Sequence, residues 1–127
     1  MCGILNTTNG EAWLVSLAGK LQVPRGSRIR VINAPEGFQI DAPVAQGSQV
    51  AILLFARDSK TLKSIGKPVF EAAKADGLAW IAYPKAGQLG TDLNRDILWK
   101  LLKPMGIQPV RQVSLDGTWS AMRFRPS

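Results

Sequence analysis

Gln49-Val50-Ala51-Ile52-Leu53-Leu54-Phe55-Ala56 is a continuous apolar run after its first residue. A strand with one solvated face alternates apolar and polar positions. A strand that is apolar throughout is covered on both faces, as in a parallel sheet sandwiched by other elements. Leu78-Ala79-Trp80-Ile81-Ala82-Tyr83 repeats the pattern, and between the two Leu62, Ile65, Val69 and Ala72 recur at helical spacing. Asp58 or Ser59 suits the N-cap of that helix, because either side chain accepts from a first-turn N–H. Pro68 inside a helix costs about 3 kcal/mol, so the spacing predicts a break near Gly66 and a restart with Pro68 in the new first turn. Asp76-Gly77 ends the helix. The unit is a strand–helix–strand crossover.

Upstream, Thr8 and Glu11 have the spacing of a capping box, and Leu14, Leu17, Ala18 and Leu21 follow at helical period, which predicts a helix over 9–21. Val23-Pro24-Arg25-Gly26 breaks it. Arg28 to Asn33 reads as a strand with Ile29, Val31 and Asn33 on one side, and residues 34–48 read as an irregular crossover. Downstream, Leu93, Ile97, Leu98, Leu101, Leu102 and Met105 form one helical stripe, with Thr91 as the expected N-cap and Gly106 as the stop. Trp80 and Trp99 fall on buried stripes. Asp116-Gly117 between Val110–Leu115 and Thr118–Arg125 predicts a hairpin with a two-residue type I′ turn. That turn pairs Leu115 with Thr118, Val113 with Ser120 and Arg111 with Met122. Val113, Leu115, Met122 and Phe124 then share one face, and Trp119, Ala121, Arg123 and Arg125 the other.

The fold expected from this order is α/β: a small Rossmann-like, mostly parallel sheet with helices on both faces and a C-terminal antiparallel β-hairpin. A length of 127 residues suits a single domain over 1–127, with residues 1–8 as a flexible N-terminal tail.

Composition excludes several function classes. The chain has no histidine and one cysteine, Cys2. That removes the commonest general base, every histidine-based triad and any cysteine/histidine zinc site. Nine acidic residues show no EF-hand spacing, so no metal and no cofactor is expected. A lone cysteine, no basic-then-apolar leader and no long apolar run point to a cytoplasmic protein without membrane insertion. The net charge of +7 favours anionic partners, although the basic residues are scattered in small groups.

Four phrases carry a family resemblance: V-I-N-A-P-E-G-F (Val31–Phe38), L-A-W-I-A-Y-P-K (Leu78–Lys85), T-D-L-N-R-D-I-L-W (Thr91–Trp99) and T-W-S-A-M-R-F-R (Thr118–Arg125). Over roughly Leu17 to Pro126 the chain resembles an uncharacterised bacterial family, a domain of unknown function. The order of its elements is similar to the C-terminal half of class I methyltransferase cores. These resemblances imply a fold and no activity. A working class I enzyme needs a glycine-rich turn after its first strand, where the backbone meets the cofactor. Here that strand ends in Asn33-Ala34-Pro35-Glu36-Gly37, and only about fifteen residues precede the next strand. The adenosine-gripping half has no room.

Ligands in open parallel sheets sit beyond the strand C-termini. Here those ends are Asn33–Phe38, Arg57–Asp58 and Tyr83–Arg95. The third offers a lysine, two glycines and a helix N-terminus, a combination suited to phosphate or carboxylate. The candidate anion site is therefore Lys85, Gly87, Gly90, Thr91, Arg95 and Arg57. The competing reading has Thr91 and Asp92 capping the helix with Lys85 solvated. The leading expectation is a non-catalytic module binding an anionic small molecule or partner there. Two alternatives stand beside it. One is a relict methyltransferase-like transferase using Lys85, Tyr83 or the rim acids Glu36 and Asp58. The other is weak nucleic-acid binding through Trp119, Arg123 and Arg125 on the basic hairpin face.

Overall fold

A computed structural model describes residues 17–23, 28–40, 51–85 and 88–127. Its elements are α1 (Leu17–Lys20), β1 (Ile29–Ile32), β2 (Ala51–Phe55), α2 (Ser59–Ile65), α3 (Lys67–Lys74), β3 (Leu78–Pro84), α4 (Arg95–Leu102), β4 (Ile107–Ser114) and β5 (Trp119–Pro126). Short 3₁₀ turns occupy Gln88–Gly90 and Lys103–Met105. The expected tail at 1–8, the Thr8/Glu11 capping box, most of the first helix and Gly87 lie outside the described residues.

The five strands form one open mixed sheet in the order β1-β2-β3-β5-β4. β1, β2 and β3 run parallel, while β5 is antiparallel to both β3 and β4. The expected mostly parallel sheet is thus corrected to an even mixture, because β5 inserts between β3 and β4 and makes two antiparallel pairings.

Alternation along the strands sorts the core into two layers. Ile52, Leu54, Ala79, Ile81, Tyr83, Met122 and Phe124 face one side, where they pack on Leu62 of α2, on Val69, Phe70 and Ala73 of α3, and on Leu98 and Leu102 of α4. Ala51, Leu53, Phe55, Trp80, Ala82, Trp119 and Ala121 face the other, under Leu17, Leu21, Val23, Phe38 and Ile40. The three later helices therefore share one face, and α1 with the Phe38–Ile40 segment covers the other. Trp80 is fully buried, and its indole N–H donates to the Leu21 carbonyl at 2.9 Å, so its one polar atom is satisfied.

The helix break falls at Gly66. A side chain there would sit 2.4 Å from both the Leu62 carbonyl oxygen and the Phe70 ring, so glycine alone permits the turn from α2 into α3. α3 restarts with its proline in the first turn.

The β4–β5 connection differs from expectation. Neither Asp116 nor Gly117 has positive φ, so this is no type I′ turn. Instead the Asp116 carboxylate accepts from the backbone N–H of Thr118 at 2.7 Å and of Trp119 at 2.8 Å, closing a longer loop over residues 115–118. The register moves by one residue: Ser114 opposes Ser120, Val113 opposes Ala121 and Gln112 opposes Met122. A one-residue slip exchanges faces. Val113 and Leu115 consequently pack with Trp119 and Ala121, not with Met122 and Phe124.

Candidate anion-binding site

The C-terminal ends of β1, β2 and β3 meet at one rim, and side chains knit them together. Asn33, at φ 59°, donates from its amide to the Phe55 carbonyl at 3.0 Å. Arg57 Nε donates to the Leu89 carbonyl at 3.3 Å. Asp92 accepts from both the backbone N–H and the hydroxyl of Ser59, which ties the loop after β3 to the first turn of α2. Those two bonds hold the Asp92 carboxyl below its ordinary pKa. Asp58, the N-cap of α2, is lowered by its bonds to Thr61. Two first-turn donors of α2 are thereby taken, and Asp58 is committed to the fold, not to acid–base work.

The N-terminus of α4 is differently disposed. Its N-cap is Asn94, whose side chain accepts from Ile97 N at 2.8 Å. The expected cap at Thr91 is corrected: Thr91 Oγ1 accepts from Leu93 N at 3.0 Å, a local turn three residues ahead of the helix. Leu93 before the cap and Leu98 at the fourth helical position are both buried and fix the entry of the chain, as in a hydrophobic staple.

Beside this N-terminus lies an open cleft of about 350 Å³ lined by Tyr83, Lys85, Asn94, Arg95, Asp96 and Gln112. Tyr83 is only 4% exposed, yet its hydroxyl has no hydrogen-bond partner among the described residues. Burial pushes its phenol above the usual range and the nearby Arg95 charge opposes that, so the hydroxyl is a neutral donor at ordinary pH. Lys85 Nζ donates to Ser114 Oγ at 2.6 Å and to the Asp116 carbonyl. Both acceptors are neutral, and an ammonium carries three protons, so among the described residues its charge has no carboxylate partner and one donor is unspent. Arg95 has no carboxylate partner either. Among the described residues the one ion pair is Arg125 with Asp76, elsewhere on the surface.

The structure brings Lys85 and Arg95 of the expected site into one cleft. Arg57 and Thr91 support the surrounding loops, and Gly90, at φ 69°, is exposed in the 3₁₀ turn. Tyr83, Asn94, Asp96 and Gln112 complete the lining. The strand alternation Ala79, Ile81, Tyr83 is the signal for Tyr83, since the last member of a buried row carries its polar tip to the strand end. Asp96 is the one acid in the cleft.

The basic face of β5 has a different character. Trp119 is 8% exposed, with its ring edge-on to Phe55 at a centroid separation of 5.1 Å. Arg125 forms a bidentate pair with Asp76 at 2.7 and 2.9 Å, and Arg123 donates to Gln22 at 2.8 Å while its Nε is buried without a partner. The expected stacking platform is corrected: the indole belongs to the core, and both guanidinium groups are committed to the protein. Trp99 is the reverse case, placed on a buried stripe by periodicity but 48% exposed in the structure.

Among the described residues no group of three His, Cys, Asp or Glu could hold a metal ion, and no helix is long and apolar enough to cross a membrane. No family model, curated protein or solved structure matches the chain.

Proposed function

We propose that this protein is a small Rossmann-like binding module, grouped with the uncharacterised bacterial family whose phrases it shares, that takes an anionic ligand at the strand C-terminal rim without transforming it. The observation that carries this reading is the hydroxyl at the tip of the otherwise buried Tyr83, which has no hydrogen-bond partner among the described residues and lines the cleft that holds Arg95 and Lys85. The hydroxyl opens into the cleft, where it is a neutral donor with no protein acceptor among the described residues, free to be taken up by a ligand oxygen in place of water. Arg95 offers a planar fork suited to an oxyanion, and Lys85 a point charge fixed in direction by Ser114 and Asp116. The helix end adds to the same field: after Asn94 takes Ile97 N, the N–H groups of Arg95 and Asp96 have no acceptor among the described residues. Reading β4 and β5 as a closed hairpin appended to this module is part of the same proposal.

A phosphate titration followed by backbone NMR tests it. Shifts should concentrate at residues 83–85 and 94–96 and weaken as salt is added. Shifts confined to Arg123 and Arg125, with none at 83–96, would overturn the assignment.

A further inference from the structure

The anion cleft has a neighbour along α4. Arg95 and Asp96 also line a second open cleft of about 350 Å³, whose remaining walls are Trp99, Gln108 and Pro109. The two clefts adjoin at Arg95 and Asp96 of α4, and their chemistry differs. The first is polar and cationic. The second is walled by a half-exposed indole and a proline ring, and Lys103 Nζ stands 5.8 Å from the centroid of that indole. Trp99 thus presents aromatic surface to solvent beside the charged cleft.

We propose, resting on the anion-binding reading above, that the ligand is a small aromatic oxyanion: a carboxylate or phosphate held by Tyr83, Lys85 and Arg95, joined by a short link to a planar ring packed on Trp99 and Pro109. The spacing selects the short link. Arg95 and Trp99 are one helical turn apart, which places their Cβ atoms about 5–6 Å from each other. A ring one to a few bonds from the oxyanion spans that distance, whereas a chain of several phosphates between them overshoots it. Lys103 near the indole adds positive charge around the bound ring, in keeping with an anionic guest.

The other natural occupant of a groove between a helix and an edge strand is an extended peptide that adds a strand. β4 is the edge of the sheet. Its ladder is irregular between Pro109 and Arg111, and Pro109 has no N–H to offer. Those are the devices that keep edge strands from pairing, and they stand at the groove itself. A small molecule fits where an added strand does not.

Titrations of isotope-labelled protein with phenyl phosphate, benzoate, inorganic phosphate, benzyl alcohol and an acidic hexapeptide decide the matter. Phenyl phosphate is expected to bind roughly tenfold more tightly than inorganic phosphate, and to shift the Trp99 indole N–H as well as residues 83–96. Inorganic phosphate is expected to move only residues 83–96. Trp99→Ala should bring phenyl phosphate down to the level of inorganic phosphate and leave inorganic phosphate unchanged. Benzoate against phenyl phosphate tells which oxyanion is preferred, and either order supports the proposal. Equal affinity for phenyl phosphate and inorganic phosphate, or an advantage that survives Trp99→Ala, overturns the aromatic part alone. Benzyl alcohol binding as tightly as phenyl phosphate, or the hexapeptide binding more tightly, overturns it as well. No shift at residues 83–96 with any anion removes the anion site and this inference together.

Discussion

Two regions of this protein carry arginine and tryptophan close together, and they are built in opposite ways. On the outer face of β5, Trp119 packs edge-on against Phe55, Arg125 is bidentate to Asp76, and Arg123 reaches Gln22. Along α4, Trp99 is half exposed, and among the described residues Arg95 has no carboxylate partner and the nearby Lys85 is bonded only to neutral oxygens. The residue types are the same, but the commitments are not. A guanidinium with a carboxylate already on its fork has little to offer a ligand. A basic patch is therefore a candidate site only where its charges lack partners within the fold. The first region holds the fold together, and the second is left open by it.

The largest effect expected from this contrast is on stability. Trp119→Ala should cost about 3–5 kcal/mol, because it removes a buried aromatic and leaves a cavity under Phe55. Trp99→Ala should stay within about 0.5 kcal/mol, as an exposed substitution does. Urea unfolding of the two variants is the measurement. A large loss for Trp99→Ala would mean that the helix face is a core element and would remove the contrast.

The next effect is on binding. Arg95→Ala should weaken phosphate about tenfold, in line with a lost charge-assisted hydrogen bond. Arg125→Ala should leave phosphate affinity unchanged. Lys85→Ala is expected between the two, since it also releases Ser114 and the Asp116 carbonyl. If Arg125→Ala were the damaging variant, the ligand would belong to the β5 face.

A smaller effect is expected at the loop between β4 and β5, over residues 115–118. Asp116→Ala removes the acceptor for two backbone N–H groups and should cost on the order of 1 kcal/mol. Gly117→Val should cost less, because Gly117 lacks positive φ and a side chain there meets nothing within 4 Å. Thermal unfolding distinguishes the pair, and a reversed order would restore a tight turn built on glycine.

At that loop the local sequence is compatible with more than one backbone path. The buried run at residues 49–56, the crossover over α2 and α3, and the break at Gly66 all follow from local apolar period and backbone sterics, and the structure agrees wherever it describes them. The pairing of β4 with β5 hung on one dipeptide. Asp-Gly fits a type I′ turn, yet an aspartate can also fold its own carboxylate onto the next N–H groups, and the longer loop then shifts every facing by one residue. The cap of α4 was ambiguous in the same manner, because Thr91 and Asn94 are both good caps. The bond from Ile97 N to the Asn94 side chain, with Leu93 and Leu98 buried together, decides for Asn94. Tyr83 was legible as the last residue of a buried row. That its hydroxyl has no partner is a tertiary fact, and composition carries no trace of it.

The smallest effect concerns acid. Asp76 and Asp92 are both held below the ordinary carboxylate range, Asp76 by its bonds to Arg125 and Asp92 by its bonds to Ser59. A carboxylate whose pKa is depressed on folding contributes stability that is fully present above its unfolded value. That stability is lost as pH falls through the folded one, so both terms fade below about pH 4. Asp76→Asn and Asp92→Asn should each flatten the acid limb of the stability curve. Salt separates them. The Asp76 contribution rests first on a bond to a charged guanidinium at the surface, which about 0.5 M salt screens strongly. The Asp92 contribution rests first on the neutral hydroxyl and backbone N–H of Ser59, and it should survive the same salt. In high salt, therefore, Asp92→Asn should still flatten the acid limb, while Asp76→Asn should scarcely alter it. Chemical denaturation between pH 2.5 and 6, with and without salt, reads this directly. Equal salt sensitivity in the two variants would mean that Asp92 answers mainly to the nearby Lys63, and the rim would then be held by charge instead of by the neutral donors of Ser59.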